Sequence, residues 1–71
     1  MYIVVELQSN NGTTAVVTPI PTYADRNDAE ANYHTVLAAA AKSNVEKHAC
    51  VVLTEEGFPL LRECYKHEAQ V

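Results

Sequence analysis

DRNDAEANYHTVLAAAAKSN, Asp25 to Asn44, decides the fold of this chain, because it is the one segment whose pattern and composition both call for a helix. Asn27 can accept a hydrogen bond from a first-turn amide while Glu30 reaches back, a capping box with Asn in place of Ser or Thr. Asp25 is the rival cap. Either start puts Asp28 and Glu30 in the first turn and Lys42 in the last, so side-chain charge opposes the helix dipole at both ends. Ser43-Asn44 supplies the stop, with short polar side chains that compete for backbone bonds and an Asn that tolerates a left-handed cap.

At about 100° per residue, Ala29, Tyr33, Val36, Leu37 and Ala40 form one stripe, which is assigned to the core. Ala31, His34, Thr35, Ala38, Ala41 and Lys42 form the opposite surface, which has few long charged side chains to keep it solvated. Alanine there serves either helix propensity or a close contact with another subunit.

Outward from the helix, the chain reads as strand and turn. Tyr2 to Gln8 alternates, with Ile3, Val5 and Leu7 on one face, expected to be the core face, and Tyr2, Val4, Glu6 and Gln8 on the other. Asn11-Gly12 is a type I′ hairpin signal, and Thr13 to Ile20 returns, with Leu7 opposite Val16, Val5 opposite Thr18 and Ile3 opposite Ile20. Pro19 and Pro21 lack the amide of a central strand, so this strand belongs at an edge. Val45 to Thr54 is a central strand by its β-formers, and Glu55-Glu56-Gly57 turns the chain into Phe58 to His67, a charged strand for the other edge. The tail, 68–71, is expected to fray.

The pattern predicts a single α+β domain spanning 1–71: ββαββ, a four-stranded antiparallel sheet in the order 2-1-3-4 with one helix packed on one face. Tyr2, Val4 and Val17 then lie on the far face, which is too apolar to be left in water. A chain of 71 residues has little stability in hand from one core, and self-association is the staple nearest to hand.

Composition narrows the function classes. A net charge of −4, with five Lys and Arg spread along the chain, gives no basic stripe for a phosphate backbone, so no nucleic acid is expected. The apolar run after Met1 is short and lacks a basic n-region, and no stretch is long enough for a bilayer, so neither a signal peptide nor a membrane is expected. Two Cys without a secretory signal read as free thiols in a reducing cytoplasm.

Asp28-Ala29-Glu30, Tyr33-His34, the run Leu37 to Ala41, Val51-Val52-Leu53-Thr54-Glu55-Glu56-Gly57 and Glu63-Cys64-Tyr65-Lys66-His67 together resemble a set of short, uncharacterised proteins encoded by bacteriophages and prophages of gut bacteria. The resemblance covers the chain from Asp28 to Glu68. It implies a phage origin and a bacterial host cytoplasm, and brings no activity, cofactor or site residues.

Few residues carry chemistry. His48-x-Cys50 shares a strand face, and a three-residue turn would put Cys64 opposite His48, a three-ligand set at most, because Cys64 and His67 are three apart on a strand. The alternative is a packed thiol and a half-buried imidazole, and no metal is expected. A Cys50–Cys64 disulfide needs a loop running Glu56 to Phe58. A Cys64 or Cys50 nucleophile with His48 as base lacks an oxyanion hole, and no enzyme is expected. Gly12 and Gly57 lie in hairpin turns rather than in a phosphate cradle, so no cofactor is expected.

The leading expectation is a non-enzymatic homo-oligomer, dimer or higher, with an accessory, structural or host-interaction role and a phage or host protein as a further partner. Its interface draws on Ala31, His34, Thr35, Ala38 and Ala41, or on Tyr2, Val4 and Val17. The rival is an oligomer with pockets between subunits that bind a small molecule through Tyr33, His34 and Arg62.

Overall fold

The computed structural model describes residues 1–67, so the expected fraying of 68–71 lies outside the described residues. The elements are β1 (Tyr2–Asn10), β2 (Thr13–Val16), β3 (Thr22–Tyr23), α1 (Arg26–Lys42), β4 (Lys47–Thr54) and β5 (Pro59–Lys66). All strand pairs are antiparallel, in the order β2-β1-β4-β5, with β3 off that path and paired to β1. The class is the expected α+β, with one helix against the sheet. The strand order departs from expectation in one detail, the short β3.

Asn11 (φ 53) and Gly12 (φ 79) are both left-handed, as a two-residue type I′ turn requires, and Leu7 faces Val16 as the turn dictates. The expected pairs Val5–Thr18 and Ile3–Ile20 do not form. Val17 N–H still donates to Glu6 O at 2.8 Å, but the chain then leaves β1 at Thr18-Pro19 and returns when Val4 N–H donates to Pro21 O at 3.1 Å. Pairing resumes with Ile3 opposite Thr22 and Tyr2 opposite Tyr23. The looped-out segment is the one whose prolines have no amide to give.

Asp25, not Asn27, caps α1: its Oδ1 accepts from Asn27 N–H at 2.8 Å. The Asn27 capping box is therefore corrected, and Glu30 turns instead to Arg26, 3.2 Å away and one turn back. Ser43 ends the helix in extended backbone (φ −78, ψ 163), its N–H donating to Ala40 O at 3.2 Å, so no left-handed Asn is used. The core stripe is as expected. Ala29 and Ala40 are fully buried, Tyr33 is nearly so, and Val36 and Leu37 pack around them.

The sheet presents the opposite face to the one expected. Val4, 2 % exposed, lies under the helix with Cys50 and Val52, and Tyr2 packs beside it. Ile3, Val5 and Leu7 point away from α1 and are half-buried only by their own sheet neighbours. Alternation tells which side chains share a face, not which face the helix takes. Both faces of β1 hold apolar residues, and the face covered is the one on which Glu6 finds donors.

An irregularity between Val52 and Leu53 shifts the β4–β5 register, so Leu53 faces Pro59 but Val52 faces Leu61. Cys64 then lies opposite Ala49, not opposite His48 or Cys50. No helix among the described residues is long and apolar enough to cross a membrane.

Candidate functional site

Three central rows of side chains cross the uncovered face of the sheet. Val16, Leu7, Ala49 and Cys64 form one row, Val5, Val51 and Arg62 the next, and Thr22, Ile3, Leu53 and Pro59 the third. At one end of the strands Lys47 and Lys66 stand directly opposite each other. The middle is thus aliphatic and the margin cationic. Glu6 and Glu63, the strand carboxylates, alternate onto the helix side, in register with Cys50. A groove of about 310 Å³ runs between β4 and β5, lined by Ala49, Val51, Arg62, Glu63 and Cys64.

Among the described residues, the deeply buried apolar side chains are Val4, Ala29, Tyr33, Ala40, Cys50 and Val52, two of them alanines and one a thiol, and His48 is buried with them. Val36, Leu37, Leu60 and Leu61 pack, partly buried, against that cluster, while Ile3, Val5, Leu7, Val51 and Leu53 lie on the open side. These five side chains are half-buried by their sheet neighbours and are not covered by the helix.

The expected interface residues divide. Ala31, His34, Thr35, Ala38 and Ala41 are all exposed on the outer side of α1. Thr35 Oγ1 donates to Ala31 O at 3.0 Å within the helix, and the His34 ring stands edge-on to Tyr33, centroids 5.3 Å apart. Val4 is in the core and Tyr2 packs against it, so neither is on an outward face. Val17 lines a cleft of about 200 Å³ on the helix side, with Val4, Glu6, Pro19, Pro21, Asn32 and Val36. These assignments are corrected for one reason, the inverted face of β1.

Tyr33 and His34 are neighbours on α1, but Arg62 is not brought to them within a subunit. Tyr33 is buried against the sheet from the helix side, and His34 is exposed on α1. Arg62, paired with Val51, is on the other side of the sheet. The three cannot line one pocket within a subunit.

The polar feature that sequence reasoning missed lies under the end of α1. His48, 4 % exposed, places Nε2 2.5 Å from Glu6 Oε2 and Nδ1 3.0 Å from Ser43 Oγ. Gln8 Nε2 donates to the same Glu6 oxygen at 3.2 Å. The Ala40 carbonyl, at the helix end, accepts from the Ser43 hydroxyl at 3.2 Å and meets His67 Nε2 at 2.9 Å. Glu6 is in phase with Val4 along β1, so once Val4 is inside, a carboxylate is inside with it and needs a donor. That was the available signal.

A carboxylate, an imidazole and a hydroxyl in a line have the composition of a nucleophilic triad, but the setting opposes that chemistry. Ser43 sits at the carbonyl end of a helix, where dipoles repel a developing oxyanion instead of holding it. The arrangement can tie the helix terminus to β1 and β4. Cys50, on the same face, has its thiol pushed up to about 11, first by burial and then by the Glu6 carboxylate, against a weaker bond from the Val51 amide. That is the wrong direction for a nucleophile. Cys64 is exposed on the far side of the sheet, which separates it from His48 and Cys50 as a ligand or a disulfide partner. Comparison with protein-family models, with curated proteins and with solved structures finds no match to this chain.

Proposed function

We propose that the chain is a non-enzymatic association protein that works as a homo-oligomer, with the open face of the sheet as its contact surface. One observation carries this reading. β1 places Val4 and Glu6 under the helix and leaves Ile3, Val5 and Leu7 outside, so the subunit covers the more polar side of its central strand. A chain that functioned alone would gain more by burying the other set. The thin core adds to the case, since a small domain with so few buried side chains gains stability from a partner. The resemblance to phage-encoded proteins supports an accessory, structural or host-interaction role in a bacterial host cell.

Sedimentation at micromolar concentration tests this reading. A species of at least twice the subunit mass, dissociating on dilution, is expected. A folded monomer throughout the concentration range overturns it.

A further inference from the structure

Resting on that reading, we propose that the partner on the open face is a second copy of the chain, related by a twofold axis that runs along the strands between β1 and β4. β5 of each copy then lies over β2 of the other. The 29 residues of β1, β2, β4 and β5, at about 3.3 Å each in strands about 4.8 Å apart, project roughly 460 Å², to be set, with side-chain relief added, against the ~800 Å² per partner of a standard interface.

The rows fit when reversed. Val16, Leu7, Ala49 and Cys64 cross the sheet in that order. Turned about the proposed axis, each Leu7 stands over the partner's Ala49 and each Val16 over the partner's Cys64, large on small. In the next row Val5 meets the partner's Val51, and in the third Ile3 meets the partner's Leu53. Interdigitation of this kind is how two sheets pack about 10 Å apart.

Charge selects the same axis. Arg62, on β5, would stack on the partner's Arg62 if the axis ran across the strands, whereas an axis along them carries Arg62 to the margin beyond the partner's short β2. Charge also argues against joining at the sheet edge. A twofold pairing of β5 along its full length sets Arg62 opposite the partner's Arg62, or Glu63 opposite the partner's Glu63, a like-charge guard on an edge strand. The chain is acidic overall, with a net charge of −4, yet its strand carboxylates Glu6 and Glu63 face the helix. Those two carboxylates are thereby kept off the contact face.

A crosslink tests the placement. Cys64 is exposed and Cys50 is buried, so the native chain offers one accessible thiol. In the proposed dimer the two Cys64 thiols lie at opposite margins, about three strand spacings or ~14 Å apart laterally, and a short bismaleimide should not join them. Val16→Cys adds a thiol beneath the partner's Cys64, and the same reagent should then give a covalent dimer linked between those positions, identified by peptide mass. Ala15→Cys, one residue away on the other face of β2, is the control and should give none. A Cys64–Cys64 crosslink in the native chain, or a non-covalent dimer that Val16→Cys fails to crosslink, overturns the axis while leaving association intact. A monomer in sedimentation overturns both, so the two failures are told apart.

Discussion

Glu6 and His48 meet diagonally across β1 and β4: Glu6 pairs directly with Cys50, and His48 with Gln8, yet the carboxylate and imidazole stand 2.5 Å apart. The ring is held from its other nitrogen by Ser43, so one buried side chain joins two strands and the end of the helix. Removing it leaves a half-buried carboxylate with its main donor gone. His48→Ala is expected to cost about 2–3 kcal/mol, a fall of roughly 10 °C or more in Tm for a chain of this size. Urea melts should show the loss at constant slope. A cost below about 0.5 kcal/mol would mean that water replaces the imidazole without penalty.

The same cluster sets an alkaline limit. Cys50 titrates at about 11 instead of its ordinary 9.0, because burial and the neighbouring carboxylate disfavour the thiolate. Tyr33 is also raised, first by burial and then by Glu63. Both groups hold their protons more tightly folded than unfolded. The stability they confer is fully present below their ordinary values and is lost as pH rises toward the folded ones. From Cys50, stability should fall between pH 9 and about 11 by at most about 1.4 kcal/mol per pH unit. Substituting Cys50→Ser should flatten that decline. A decline of equal slope in that variant would place its origin elsewhere.

Thiol reactivity reports on the same contrast without unfolding the chain. Near neutral pH one thiol, Cys64, is expected to react with a disulfide reagent in subunits diluted below the association range, more slowly once the partner's Val16 covers it, and the second only in denaturant. Two fast thiols in the native state would mean that β4 opens readily beneath the helix.

The helix, its core stripe, the first turn and the placing of strands at centre and edges are local or periodic signals, and they were legible. Tyr33 and Ala40 could be assigned from spacing alone, and Leu7 opposite Val16 from Asn11-Gly12. What failed depends on relations between elements. Whether Val4 or Val5 meets the helix is a choice between two apolar faces, and the face taken is the one on which Glu6 meets His48, 42 positions away in sequence, with Ser43 on the ring's other nitrogen. The register of Cys64 hangs on one irregularity beside Leu53, and a shift by one residue moves a side chain through the sheet. The site readings built on those two choices, Val4 as an outward contact and Cys64 beside His48, fell with them.

The cap was legible as a pair of alternatives, and the two make different forecasts. Asp25 Oδ1 accepts from the Asn27 amide, so Asp25→Ala should cost about 1 kcal/mol. Asn27 contributes its backbone N–H to that bond, which any residue but proline supplies. Asn27→Ala should therefore change stability by less than about 0.5 kcal/mol. The reverse ranking in thermal melts would restore Asn27 as the cap.

Two outward surfaces compete for the contact, the alanine side of α1 and the aliphatic side of the sheet, and a single charge on each separates them. Ala38 is exposed in the middle of the helix, touching nothing the fold depends on. Ala38→Glu should keep the oligomer and alter stability by less than about 0.5 kcal/mol. Val51 is central on the open face and directly opposite Arg62, so a carboxylate placed there has a cation beside it within the subunit but none across the proposed contact. Val51→Glu should give a monomer in sedimentation. Its Tm should fall and lose its dependence on protein concentration, because the stabilisation contributed by the partner is removed. If Ala38→Glu dissociates the oligomer and Val51→Glu does not, the helix alanines form the contact and the sheet face has another use.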